Sequence, residues 1–382
     1  MRHVRKLASL ALIGSLLCSL VGCGAASEEG GGGSSSSDTI YIGTSFPQSG
    51  NIASEGKQLV NAIQLAVDQV NADGGINGKK VALKSEDDEG DATTAASIAN
   101  KFGDDSDIMG VIMSYNSACA LAQIPILEGA GLVSVSPTAE SPSLTGMSDW
   151  FYRTCCSNAY SGVVCAKLCE NLGLKKVAII YQNDDYGQGL KDAFKGECEN
   201  LGISVETEQT YVQAETVDFS TQLTAISDTS AEGVFIAGYT TEAGLICSQK
   251  KAYNCGDLKF VGGVSVYADE IFDYDGTDGL YSLGGFSLTS EDEAVKKFIA
   301  DYKEAYGSTP SSWSAYAYDA AMVMLEGMKS CGDDLSREAL KDAIAASDYQ
   351  GVTGENKFVN GDVEKEYNWY VTSNGEWTEV SH

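Results

Sequence analysis

Residues 175–189 read KKVAIIYQNDDYGQG, and Leu190, Phe194, Cys198 and Leu201 then recur at three- and four-residue spacing. The first part is a β-branched apolar run that stops at a polar turn, the composition of a buried strand; the second is the single apolar face of a helix. A strand that feeds an amphipathic helix is half of a β-α-β unit. A chain that repeats the unit builds a parallel sheet covered by crossover helices.

The repeat extends in both directions. Upstream, TIYIGTSF (39–46), VALKSED (81–87), DIMGVIM (107–113) and GLVSVS (131–136) predict strands. Between them lie three helical faces: Leu59, Ala62, Ile63, Ala66, Val67 and Val70; Ala95, Ile98 and Phe102; Leu121, Ile124 and Leu127. Downstream, ISVET (203–207), GVFIAG (233–238) and LKFVGG (258–263) predict further strands, with Phe219, Leu223 and Ile226 on a helix between the first two. Beyond YSLGGFSL (281–288) the pattern changes to two longer helices, striped by Val295, Phe298, Ile299 and Tyr302 and by Tyr316, Ala320, Val323 and Met324. A short helix at 336–346 and the Gly-rich YQGVTG (349–354) follow, and Asn374-Gly375 between alternating apolar residues predicts a hairpin. The expected fold is α/β, two doubly wound Rossmann-like lobes, with joints near residues 154, 284 and 352.

The chain starts differently. Arg2, Arg5 and Lys6 precede the apolar run LASLALIGSLLCSLVGC (7–23), the layout of a secretory signal peptide. Its end, Leu20-Val21-Gly22-Cys23, resembles the bacterial lipobox, which implies a signal peptide over 1–22 and lipidation, with palmitate among the acyl groups, at Cys23. Cys18 is the alternative, but it lies inside the apolar core without the small residues a peptidase needs before it. Residues 24–38, GAASEEGGGGSSSSD, hold nothing larger than Glu and so read, from Cys23 to 38, as a flexible tether. No other stretch approaches the roughly 20 apolar residues of a membrane-spanning helix.

Removing 22 residues leaves 360 of 382, more than one core usually serves. Of 25 basic residues 22 remain against 54 acidic ones, a formal charge of −32 that repels nucleic acid and offers no basic patch for anionic lipid. Beyond the leader the single histidine is His382, so neither an internal Ser-His-Asp or Cys-His arrangement nor a histidine metal site is available. Nine cysteines follow Cys23, an odd number without a repeated CxxC unit, and they are expected to serve mostly as small buried hydrophobes. Gly187 and Gly189 lack the spacing of a dinucleotide fingerprint, and the acids of EDDEGD (86–91) lack EF-hand order.

Five patterns then occur in order: Phe46-Pro47-Gln48-Ser49-Gly50; INGKKV (76–81) with EDDEGD; SPTAESPSLT (136–145); NDDYGQG (183–189); and YQGVTG followed by KFVNGD (357–362). Their order and separation resemble the branched-chain amino-acid-binding (Leu/Ile/Val) family of ABC transporter substrate-binding lipoproteins. The resemblance implies the type I periplasmic-binding-protein fold: two lobes joined by three hinge crossings and closing on a solute. Carried onto this chain it implies one lobe from 39–154 plus 285–350 and another from 155–284 plus 351–382. It further implies no enzymatic activity, no cofactor and no metal, with an ABC permease and its ATPase as partners. The expected location is the extracytoplasmic face of the bacterial cytoplasmic membrane, on the periplasmic side where the cell has an outer membrane, with the protein attached through its lipid as a monomer. A ligand-sensing receptor component would share the pocket and differ in its partner.

The same resemblance selects ligand-binding candidates. Asn116 and Ser117 open a helix after a strand, where the Ser hydroxyl and free N–H groups hold a carboxylate; the plainer reading is an ordinary N-cap. In SPTAESP the family offers the Ala139 carbonyl, then a threonine where this chain has Glu140. A carboxylate there suits an ammonium and repels a ligand carboxylate. In lobe two the family's acidic partner for the α-ammonium falls near Val264 or Ser265, where this chain has no acid. Glu140 is therefore expected to take over the ammonium from the opposite lobe; the competing account is an alignment slip that brings Asp269 into the pocket. Tyr186 and Tyr239 follow strands and are expected at the C-terminal sheet edge as aromatic walls, against the simpler possibility that two of nineteen tyrosines fall on loops. Glu55 aligns with a position often aromatic in the family, or is a solvated helix-start glutamate. With Glu55 and Glu140 both in the cleft, a basic, polar or amine-rich solute fits better than a leucine-like one.

Overall fold

The computed structural model describes residues 39–380 apart from Asn51 and Ala214; Cys23 and the tether expected up to residue 38 lie outside the described residues, as does His382. The chain runs β1 (Thr39–Phe46), α1 (Ala53–Ala72), β2 (Lys80–Asp87), α2 (Ala92–Asp104), β3 (Ile108–Met113), α3 (Ser117–Gly129), β4 (Val133–Ser136) and β5 (Phe151–Arg153). Then come α4 (Asn158–Asn171), β6 (Lys176–Gln182), α5 (Asp185–Leu201), β7 (Ser204–Tyr211), α6 (Ser220–Ser227), β8 (Gly233–Ala237), α7 (Thr240–Gln249), β9 (Lys259–Gly262) and β10 (Leu280–Gly284). The end is α8 (Glu293–Tyr306), α9 (Ser312–Ser330), α10 (Arg337–Ala345), the hairpin β11 (Asp348–Gly351) and β12 (Gly354–Lys357), β13 (Asn368–Ser373) and β14 (Glu376–Val380).

Two sheets organise these elements. The first has the order β2-β1-β3-β4-β5, all parallel. In the second, β14-β13-β10-β9-β8-β6-β7, β13 alone runs against the other strands, antiparallel to β10 on one side and to its hairpin partner β14 on the other. Its turn residues Asn374 and Gly375 have φ of 53° and 78°, the double positive φ that a two-residue hairpin requires. Helices α8 and α9 pack on α1, and α10 lies against β3 and β4, so the chain returns to lobe one after β10.

Local chemistry explains the elements. All six residues of the α1 stripe are buried. Helix α5 starts where the Asp184 side chain accepts from the Gly187 N–H at 2.8 Å and ends at Gly202, whose φ of 69° costs a glycine nothing. Eight of the nine described cysteines are buried, and none is in a disulfide. Among the described residues no helix is long and apolar enough to cross a membrane.

In sequence order the chain passes from the first sheet to the second after β5, packs again on elements of the first after β10, and rejoins the second sheet at β13. The first passage is anchored by the fully buried Arg153. Its Nε and Nη2 hold the Asp362 carboxylate at 2.6 and 2.9 Å, and Nη1 donates to the carbonyls of Ala139 and Ser141 at 3.0 and 2.9 Å. Asp319 on α9 accepts from the N–H groups of Val352 and Thr353 at 2.8 and 2.9 Å. These contacts tie Val352, Thr353 and Asp362 to elements of lobe one.

Candidate functional site

In an open α/β sheet ligands gather outside the C-terminal strand ends, where the strand order reverses. The reversal lies between β1 and β3 in lobe one and between β6 and β8 in lobe two. All eight candidates follow strand ends on these edges: Glu55 after β1, Asn116 and Ser117 after β3, Ala139 and Glu140 after β4, Tyr186 after β6, Tyr239 after β8 and Ser265 after β9.

Glu140 lies at a contact between the lobes. Its side chain is fully buried, Ser265 Oγ from lobe two donates to its Oε2 at 3.4 Å, and Oε1 has no hydrogen-bond partner. Its carbonyl accepts from Asn158 N at 2.7 Å, at the start of α4. Burial pushes the carboxyl up to about 8, against the opposing pull of the Arg153 charge and the Ser265 hydroxyl. A buried carboxylate with one unanswered oxygen is costly unless a cation meets it.

The tyrosines form a row. Tyr186 and Tyr239 stack with ring centroids 4.8 Å apart and planes 13° apart, and Tyr115 lies 5.9 Å from Tyr239. The buried Tyr186 hydroxyl makes no hydrogen bond. Two more buried polar atoms without partners, Asn158 Oδ1 and Tyr316 Oη, belong to residues near this region: Asn158 Nδ2 donates to the Tyr186 carbonyl at 3.2 Å, and Glu140 is among the charges acting on Tyr316.

Asn116 occupies the N-cap position of α3, but no side chain caps that helix. Instead Asn116 Nδ2 donates to the Gly90 carbonyl at 3.3 Å, while its Oδ1 is buried without a partner. Ser117 Oγ accepts from Ser141 N at 3.1 Å, which leaves its hydroxyl proton for another acceptor. The Ala139 carbonyl is already engaged by Arg153 Nη1. EDDEGD borders the cleft: Gly90 touches Asn116, and Asp88, 1% exposed, accepts from Ser45 Oγ at 3.0 Å, with burial raising its carboxyl to about 6. Asp269, the alternative acid for the ammonium, lines another cavity between the lobes with Gln58, Glu270 and Trp377.

Glu55 is half-buried and lines an interlobe cavity with Tyr115, Tyr239 and Glu242. Tyr115, Asn158, Glu242 and Arg153 are the neighbours that sequence reading missed. Tyr115 immediately precedes Asn116 at the same strand end, so the rule that found Asn116 would have found it. Arg153 carried no signal beyond marking the end of the first strand series.

The family model described as "Periplasmic binding protein" matches residues 39–374. The chain belongs to that family. Among curated relatives, the Leu/Ile/Val-binding protein BraC3 of Rhizobium johnstonii is 32% identical over 312 residues, 80% of this chain and 83% of the relative. Among solved structures, the branched-chain amino acid transporter substrate binding protein LivJ from Streptococcus pneumoniae, in complex with isoleucine, superposes with a TM-score of 0.82 at 27% identity, covering 90% of this chain and 99% of that one. The leucine binding protein LivK from Thermotoga maritima gives a TM-score of 0.83 at 26% identity, covering 90% and 98%. This periplasmic binding protein is thus a non-catalytic, extracytoplasmic solute-binding protein of the ABC-transporter type, with the two-lobed fold of its relatives. As a member of such a family it works with a permease and its ATPase.

Proposed function

We propose that this chain captures an amino acid or a related small amine-bearing solute between its lobes and presents the closed form to an ABC permease, from a lipid anchor at Cys23. The observation that carries this reading is Glu140, a buried carboxylate with one oxygen unpartnered at the lobe contact. An ammonium fits that oxygen in charge and in donor capacity. The uncapped first turn of α3 and the Ser117 hydroxyl suit the carboxylate of an amino acid, and the faces of Tyr186 and Tyr239 suit its side chain. Relatives named for leucine, isoleucine and valine bind solutes with the same ammonium and carboxylate pair, and this chain differs in how it answers the ammonium. With Glu140 on lobe one and Ser265 across from it, lobe one supplies both charged contacts, and lobe two closes over a solute already oriented. No bond is made or broken. Specificity comes from buried polar groups, each costing roughly 1–3 kcal/mol when left unmatched.

The test is a thermal-shift screen of protein unfolded, freed of bound solute and refolded, against amino acids, short peptides, polyamines and aromatic acids, followed by calorimetry. The expected hits all carry an amine, and a solute at a hundred times its Kd stabilises by about 2.7 kcal/mol. An aromatic acid without an amine as the sole hit would rule the reading out.

A further inference from the structure

Beyond the groups around Glu140, at the far end of the tyrosine row, lies a cavity of ≈130 Å³. Lobe one lines it with Ile52, Glu55 and Tyr115, and lobe two with Tyr239, Thr240 and Glu242. Both walls therefore carry an acid, and no lysine or arginine is among the lining residues. Glu55 Oε2 is buried and accepts no hydrogen bond. Burial first, and then the charges of Glu270 and Glu242, hold the Glu55 carboxyl above its ordinary value despite a backbone hydrogen bond that opposes them. Acids gathered on an open surface are met by water and salt; these two line one cavity between the lobes, beside the rings of Tyr115 and Tyr239.

An independent observation comes from the opposite end of the row. Glu140, fully buried, also has an oxygen without a partner, and its charge reaches Tyr115 and Tyr239, as the charges of Glu55 and Glu242 reach Tyr115. One aromatic row thus has an acidic pole at each end. Carboxylates and the faces of tyrosine rings both attract cations, and the same ring faces give apolar cover to a methylene chain.

We infer that the cleft takes a solute with two cationic ends, a basic amino acid or an α,ω-diamine, with one ammonium on Glu140 and the second charge between Glu55 and Glu242. The inference rests on Glu140 as the first ammonium site and adds a second pole to it. A leucine-like side chain would leave that second pole unanswered, whereas a flexible chain of methylenes crosses the tyrosines and ends in the group the acids attract.

Calorimetry on refolded, solute-free protein separates the cases with three probes: L-lysine, L-norleucine, which has the same carbon chain without the distal amine, and cadaverine, which has both amines without the carboxylate. The expected result is lysine or cadaverine binding at least ~10-fold tighter than norleucine, with the preference largely lost in Glu55→Gln. Lysine above cadaverine identifies a basic amino acid; the reverse order identifies a diamine. A thermal melt of Glu55→Gln matching the parent shows that the substitution leaves the fold intact. Norleucine equal to lysine, or an undiminished lysine preference in Glu55→Gln, overturns the second pole while leaving the Glu140 site standing. Failure of all three probes to bind overturns both.

Discussion

Glu140→Gln is expected to lower solute affinity by ~30-fold or more, because removing one partner of a buried charge pair costs about 2–5 kcal/mol. The same variant changes the response to pH. In the solute-free protein burial holds Glu140 up to about 8, against an ordinary value of 4.5. The folded state therefore keeps a proton that the unfolded chain gives up, and stability falls as pH rises through the window from 4.5 to 8. Below that window the penalty is absent, and above it the penalty is complete. A bound ammonium favours the ionised form, so binding releases a proton and affinity rises with pH up to about 8. Calorimetry in buffers of different ionisation enthalpy reads that proton directly. In Glu140→Gln the released proton disappears with the affinity, and the solute-free variant loses the fall in stability across the window. An unchanged Kd would remove Glu140 from recognition.

Arg153→Met is expected to be the most destabilising single change near the first crossing, by about 3–5 kcal/mol. The methionine fills volume but leaves Asp362 facing a site that has lost its cation, and strands the carbonyls of Ala139 and Ser141 that Nη1 now satisfies. Arg153→Lys recovers little, since an ammonium cannot reproduce a fork that engages Asp362 with two nitrogens and two carbonyls with a third. Denaturant unfolding measured in parallel with the parent checks this; a loss below about 1 kcal/mol would mean that the network is exposed enough to be replaced by water.

Much of this was legible in the sequence where a pattern had a period. The strand at 175–181 and the stripe from Leu190 to Leu201 needed only alternation of composition, and Asn374-Gly375 announced its turn through the backbone it permits. Helices α4 and α7 carry no clear stripe, because they are buried on several sides and filled with Cys, Ala, Ser and Gly, and they were accordingly missed, whereas α3 showed its face through Leu121, Ile124 and Leu127. The short strand β5 is three residues long, too brief for any period. Site residues were found where a strand end could be recognised, as with Tyr186 and Tyr239. Those that act through tertiary pairing, such as Arg153 with Asp362, 209 positions apart, were invisible until the chain was folded.

A crystal structure of the protein loaded with its solute measures the central claim directly. The expected density shows the solute enclosed by both lobes, its cationic nitrogen within hydrogen-bond distance of Glu140 Oε1 and its chain against the Tyr186 and Tyr239 rings. A solute that sits outside the cleft, or inside it with no cationic atom on Glu140, would contradict the account.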